Sequence, residues 1–391
     1  MGKKNIAYIN PKMLIWARSE TPFISPEAVE LSFPAINAAD LTKWESGEEY
    51  PSINEAKKLA SIYKVPFACF YLTTPPSKKP RRYTDRRTLR GQIPDEISYS
   101  LWSEIRRIQS IRDGIIEYAD EEFLCRQIPI VSDDGVTAVA NSIREYLGLT
   151  TPLKTQSAYG NNPFNYYKSI VERNGIMVAQ ISGVEISEMK GLSIYFDSVP
   201  IIAINNKDYD RSKVFSLFHE LAHIFRRSSS LCTIDLEEHS DQEEVICDRI
   251  AAEALMPKDA FSKIAQGYIA GQTNYDSIII GRIAGRFGVS TIAALRRLHE
   301  TGLIGKTEFF DLYDIIADEY QANLANIEAA RKGKNIPVHY YIKYLNQTGY
   351  IFPRVVILAH ATGAISHGEM CRALGVNTKH ISSIEQAVMY K

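Results

Sequence analysis

The feature that most constrains this chain is a pair of histidines four residues apart in an apolar segment. His219 and His223 flank Glu220 in the run VFSLFHELAHIF, an HExxH motif. The surrounding apolar residues predict a helix from about Arg211 to Arg226, on which a spacing of four puts both imidazoles on one face. About 0.01 such motifs are expected by chance in a chain of this length with 8 histidines. The pattern predicts one metal ion held by His219 and His223, with Glu220 as general base for the attacking water.

A catalytic zinc ion needs a third protein ligand, and the residues after the motif offer several. The longer HExxHxxGxxH motif is excluded, because Arg226 and Ser229 stand where its glycine and last histidine would be. A second helix, predicted from Asp241 to Leu255, carries Glu244 with Asp248 four residues on. This spacing suits a glutamate ligand followed by a carboxylate that orients a ligand histidine. The rival ligands are Glu243, Glu237, Glu238 and His239.

Spacing alone does not choose the residue that would stabilise the transition state. The alternatives are Tyr195, Tyr209, Arg211 and His239. Tyr209 and Arg211 come before the HExxH motif, where an ordinary surface role is at least as good an interpretation.

Residues 165–305 resemble a known family of bacterial enzymes. RSKVFSLFHELAHIF followed by EEVICDRIAAEALMP is similar to the pattern of the ImmA/IrrE zinc metallopeptidases. In that pattern Glu244 falls on the third zinc ligand and Asp248 on an Asn/Asp position, whereas Cys247 replaces the usual alanine. The resemblance implies an α+β zincin-like domain with a gluzincin-like HExxH…E zinc site. It also implies a protein substrate, since family members typically cleave a repressor encoded nearby.

The N-terminal segment carries a second resemblance. NPKMLIWARSE and LTKWESGEEYPSINEAKKLASIYKVPFACFYL resemble an XRE-type helix-turn-helix domain, which implies binding to double-stranded DNA and a means of forming oligomers. A helix predicted from Ala38 to Trp44 would place Asn37, Asp40 and Lys43 near bases or phosphates. However, residues 1–75 contain eight basic and eight acidic side chains, whereas phosphate binding favours a positive excess. A protein-interaction module on the same scaffold is therefore the alternative.

The length of 391 residues favours two or three domains. Three β-rich runs (176–181, 191–196 and 200–205) precede the metal helix, and the rest of the chain is patterned mainly as helix. The predicted fold class is therefore mainly α with a small β-sheet. We expect four regions: a helix-turn-helix domain at 1–76, a basic linker and helical connector at 77–160, a metallopeptidase domain at 161–305, and a helical C-terminal region at 306–391.

Charge and apolar patterning narrow the function classes. The 45 basic and 46 acidic residues exclude a uniformly basic nucleic-acid wrapper. The chain has no signal-peptide pattern and no apolar stretch of about 18 residues, so we expect no membrane contact. Five cysteines without CxxC spacing argue against a disulfide framework or a cysteine-bound zinc.

Together these features predict a cytoplasmic zinc-dependent endopeptidase fused to a DNA-binding domain, with a repressor or antitoxin-like protein as substrate. The alternative is a transcriptional regulator or toxin–antitoxin component in which the peptidase fold serves mainly as a binding scaffold.

Overall fold

The computed structural model describes residues 5–76, 97–131, 135–149, 159–160, 162–227, 230–232, 242–269, 276–333 and 339–389. The chain divides into two compact units, residues 1–109 and residues 110–391. The described residues form 18 α-helices and one small sheet, which confirms the predicted fold class of mainly α with a small β-sheet.

Short helices that begin at side-chain caps build the first unit. Asn10, Ser25, Asn37 and Ser52 each accept a backbone N–H in the first turn of the helix that follows. These helices are α1 (Pro11–Ser19), α2 (Pro26–Ser32), α3 (Ala38–Ser46) and α4 (Ile53–Ile62); a 3-10 helix (Phe67–Tyr71) and α5 (Tyr99–Tyr118) follow along the chain. Gly47 ends α3 with a φ of 80°, a left-handed conformation that suits glycine.

The core of this unit lies between its helices. Leu14, Leu41, Leu59 and Phe70 are fully buried there. The side chain of Arg18 donates two hydrogen bonds to the carboxylate of Glu45, and this pair ties α1 to α3.

The second unit surrounds a small sheet with helices. Its described elements, in chain order, are α6 (Glu121–Leu124), α7 (Val136–Tyr146), α8 (Pro163–Arg173), β1 (Met177–Ile181), β2 (Gly191–Ile194), β3 (Ile201–Asn205), α9 (Asp210–Phe225), β4 (Ser230–Cys232), α10 (Gln242–Leu255), α11 (Lys258–Ile269), α12 (Ser277–Phe287), α13 (Thr291–Glu300), α14 (Lys306–Gly333), α15 (Tyr340–Thr348), α16 (Ile351–Ala361), α17 (His367–Leu374) and α18 (Ile381–Met389).

The sheet has four strands in the order β1-β3-β2-β4. β1 pairs with β3 in parallel, whereas β2 is antiparallel to both β3 and β4. The first three strands lie within the three runs predicted from the sequence, but β4 was not predicted. α9 packs against β2, β3 and α10, so the HExxH helix lies between the sheet and a second helix.

Among the described residues, no single helix is long and apolar enough to cross a membrane. Within the same part of the chain, α12 and α13 taken together reach that length and apolar character across a 94° bend.

Candidate metal centre

The HExxH residues lie in the most buried stretch of α9. Phe218, Leu221 and Ala222 are fully buried, and His219, Glu220 and His223 are only 8%, 0% and 2% exposed. Burying polar side chains costs free energy unless they find partners, so this stretch requires partners from outside its own helix. The two imidazole centroids lie 4.9 Å apart, as expected for residues one turn apart on one face.

Glu244, on the first turn of α10, supplies the partner carboxylate. Its Oε2 lies 3.0 Å from Nε2 of His219, and its Oε1 lies 3.3 Å from Nε2 of His223. The two Nε2 atoms are themselves 3.2 Å apart. Three residues predicted as ligands from the sequence are therefore brought together at one point.

These distances fit a metal ion. Ligand atoms about 2.0 to 2.1 Å from a tetrahedral zinc ion lie about 3.3 Å from one another, which is close to the three separations seen here. A neutral imidazole also has one N–H only, yet both nitrogens of His219 face carboxylate oxygens. A nitrogen of His219 without a proton presents a lone pair to a carboxylate oxygen, and the two repel one another. A cation between them removes this repulsion, so this donor set suits a bound divalent metal.

Asp248 fixes the orientation of His219. Its Oδ1 lies 2.8 Å from Nδ1 of His219, on the side of the ring away from Glu244. When Nδ1 carries the proton it donates to this carboxylate, which leaves the Nε2 lone pair directed at the point where Glu244 and His223 converge. The structure therefore places Asp248, one helical turn after Glu244 on α10, against the outer nitrogen of His219.

The charge of Glu244 also suits a ligand. Burial would raise the pKa of Glu244, but when no metal lies between them the Nε2–H groups of His219 and His223 donate hydrogen bonds that outweigh burial and hold that pKa well below its usual range. The carboxylate is therefore ionised at neutral pH.

Gly191 shapes the space around Glu220, a feature that sequence reasoning missed. A Cβ atom at position 191 would lie 2.3 Å from Oε1 of Glu220 and 3.1 Å from its Cδ. The first residue of β2 must therefore lack a side chain for Glu220 to keep its place. A glycine that opens a predicted strand was the available signal.

Glu243, the one rival ligand within the described residues, pairs with an arginine. Both oxygens of Glu243 accept hydrogen bonds from Arg226, at 2.7 and 2.9 Å. Glu243 also falls, with His223 and Cys247, in a second group of metal-ligating side chains whose donor atoms lie within 4.8 Å of one another. Burial raises the pKa of the Cys247 thiol well above its usual range. Glu237, Glu238 and His239 lie outside the described residues.

The alternatives for a transition-state stabiliser are spread along the unit. Arg211 precedes His219 by eight residues on α9, which is a rise of about 12 Å, and Tyr209 lies just before the helix. Tyr195 follows β2, donates to Asp197 at 3.1 Å, and its ring lies 5.7 Å from the guanidinium of Arg227. His239 is outside the described residues.

The predicted DNA-contacting residues make hydrogen bonds within the first unit. Asn37 accepts from the backbone N–H of Asp40 at 3.2 Å and donates to Glu30 at 3.3 Å. Lys43 donates to Glu49 at 2.8 Å. Asn37, which caps α3, and Asp40, in its first turn, are exposed, whereas Lys43 is partly buried. The basic run at 78–90 lies outside the described residues.

Comparison with known proteins identifies part of the second unit. Residues 171–299 match the sequence profile of a peptidase family described as the IrrE N-terminal-like domain. The matched segment runs from the end of α8 to α13 and contains the HExxH motif and Glu244, which supports a metallopeptidase-type domain. A search of curated proteins finds no match.

Proposed function

We propose that this chain is a zinc-dependent endopeptidase whose zinc ligands are His219, His223 and Glu244. The observation that carries the proposal is the convergence of two Nε2 atoms and one carboxylate within 3.3 Å of one another, next to a buried Glu220. The profile match over residues 171–299 supports the peptidase part of the proposal.

Zinc is the metal that this donor set favours. Two imidazoles and one carboxylate, with no further protein ligand among the described residues of the same group, match a catalytic zinc site that keeps one position for water or substrate. When bound there, zinc polarises the scissile carbonyl and makes water nucleophilic at neutral pH.

The side chains of this protein supply the proton transfers and the orientation. Glu220 accepts a proton from the attacking water and delivers it to the nitrogen of the leaving amine, acting as base and then as acid. Asp248 keeps His219 in the tautomer that presents Nε2 to the metal. The absence of a side chain at Gly191 preserves the position of the Glu220 carboxylate.

The substrate that we propose is a repressor or antitoxin-like protein in the cytoplasm. We further propose that the first unit binds double-stranded DNA through α3, which would bring the peptidase to a regulated gene. Its support is the resemblance of the N-terminal segment to XRE-type domains and the exposure of Asn37 and Asp40.

The test compares the purified protein with its Glu220→Gln variant on a protein extract. New protein N-termini are labelled and identified by mass spectrometry, with and without a zinc chelator. We expect termini that appear only with the wild type and disappear with chelator. If the wild type binds zinc and cleaves nothing in the extract, the binding-scaffold alternative replaces this proposal.

A further inference from the structure

The side of His223 that faces away from the metal position has an unusual neighbour. Nδ1 of His223 lies 3.6 Å from Sγ of Cys247, a side chain that is fully buried on α10. The corresponding nitrogen of His219 faces the carboxylate of Asp248. The Nδ1 atoms of the two histidines of one site therefore have different partners.

The interaction with Cys247 continues into a short line of polar groups. Sγ of Cys247 lies 4.0 Å from Oε1 of Glu243, one helical turn earlier on α10. Glu243 in turn accepts two hydrogen bonds from Arg226, at the end of α9. The line thus runs from His223 through α10 and back to the helix that carries His223.

We propose that Cys247 is a positioning residue for His223. The Nδ1–H of His223 donates to Sγ of Cys247, the thiol S–H donates to Glu243, and Arg226 holds that carboxylate in place. This arrangement leaves the Nε2 lone pair of His223 directed at Glu244 and His219. The inference rests on the proposed metal site, because positioning of Nε2 matters only when a metal is bound there.

A second metal ion held by His223, Glu243 and Cys247 is the competing interpretation of the same residues. The observations favour positioning, because the guanidinium of Arg226 already supplies a positive charge to both oxygens of Glu243. A cation bound to Glu243 would have to displace that bidentate pair or lie against it, and like charges repel.

The size of the expected effect follows from the chemistry of the partner. Removing an outer partner of a metal-binding histidine weakens metal affinity by about 10- to 100-fold. A thiol is a weaker hydrogen-bond acceptor than a carboxylate, so we expect the lower end of that range for Cys247. Such a change weakens affinity without emptying the site at saturating zinc.

The experiment measures zinc affinity of the full-length protein by competition with a chromophoric chelator. We expect Cys247→Ala to bind about tenfold more weakly, and Cys247→Ser, which keeps a donor and an acceptor, to recover most of that loss. The matched control is Cys371→Ala, because Cys371 also lies 3.6 Å from a histidine nitrogen but on α17, outside the site. The control should leave zinc affinity unchanged.

A double-mutant cycle separates positioning from general destabilisation. Glu243→Gln alone should weaken affinity about threefold, and it should add little in the Cys247→Ala background, because the line is already broken there. Equal loss in the alanine and serine variants, wild-type affinity in Cys247→Ala, or additive losses in the cycle would each overturn the inference.

Metal stoichiometry and cobalt spectra complete the test. We expect about one metal ion per chain in the wild type. We expect the Co²⁺ absorption band to differ from that of the wild type only in Cys247→Ala. About two ions per chain, falling to about one in Cys247→Ala, would establish the second metal site instead. A wild-type protein that binds no zinc would overturn the proposed function itself, an outcome distinct from normal binding by Cys247→Ala.

Discussion

Glu220 differs from the other acidic residues of the site in its place and its role. It is fully buried on α9 but is not one of the three residues whose donor atoms converge. We expect Glu220→Gln to retain zinc and to lose about 10²- to 10⁴-fold in kcat, because the amide cannot accept the proton of the attacking water. Metal analysis and single-turnover cleavage of the natural partner measure the two effects. Wild-type cleavage by this variant would contradict the zincin mechanism.

At the scale of elements, the sequence predicts the helices more completely than the strands of the sheet. Caps at Asn10, Ser25, Asn37 and Ser52 are local signals, and the structure has a helix after each of them. The HExxH face is equally local, because a spacing of four on a helix needs no tertiary information. β4 has only three residues, which are too few for the alternation of apolar and polar residues in a strand to be recognised.

The approach of β2 to α9 could not be predicted for a similar reason. Gly191 and Glu220 are far apart in the sequence, and only the pairing of β2 with β3 and β4 sets where the glycine lies. The spacing from Asp248 and the family resemblance point to Glu244, but which of Glu243 and Glu244 faces the histidines depends on how α10 packs against α9. Adjacent residues on a helix point in directions about 100° apart, and the packing decides which one faces the histidines.

The packing of β2 against α9 gives a prediction at this scale. We expect Gly191→Ala to lower kcat about 10²-fold while retaining zinc, because the new Cβ displaces the Glu220 carboxylate by about 1 Å. Gly267→Ala is the control, since a Cβ there has open space. Zinc content and cleavage rate are measured together. Unchanged cleavage by Gly191→Ala would show that the Glu220 position is not set by this strand.

A buried acid joins α8 to the C-terminal helices and makes stability depend on pH. Glu172 is within 4.0 Å of Lys168 and accepts the backbone N–H of Tyr350 at 2.7 Å. Burial is the largest influence on the pKa of Glu172 and raises it from 4.5 to about 7. The charge of Lys168 and hydrogen bonds with backbone groups, including that of Tyr350, act in the opposite direction. A raised folded-state pKa gives stability that is complete below pH 4.5 and is lost as pH rises through about 7.

We therefore expect the wild type to lose up to about 3 kcal/mol of unfolding free energy relative to Glu172→Gln as pH rises from 5 to 8. Denaturant unfolding of the chelator-treated proteins measures this difference without a contribution from metal. Glu385→Gln, on the exposed side of α18, is the control and should follow the wild type. A wild-type minus Glu172→Gln difference that stays constant with pH would show that Glu172 is ionised normally.

At the scale of the whole molecule, the sequence indicates two kinds of function in one chain. The near-neutral charge of residues 1–75 predicts weak DNA binding with a shallow salt dependence unless the basic run at 78–90 contributes. We expect a full-length variant with the seven basic residues of that run neutralised to show a shallower plot of log binding constant against log salt concentration. The slope should fall by about 0.9 for each DNA phosphate that the protein no longer contacts.

Titration of promoter DNA from the region of its own gene at two salt concentrations tests this statement. An unchanged slope would show that the run does not touch DNA. Absence of binding by the wild type, together with capture of a partner protein by the first unit, would favour the interaction-module alternative.

The central claim is that His219, His223 and Glu244 hold one zinc ion, and metal analysis of two neighbouring variants tests it most directly. After purification and a brief wash with chelator, we expect about one zinc per chain in the wild type and in Glu243→Ala, whose weaker affinity still fills the site. Glu244→Ala should lose most of its zinc, because the third ligand is gone. Equal zinc content in the wild type and Glu244→Ala would contradict the account.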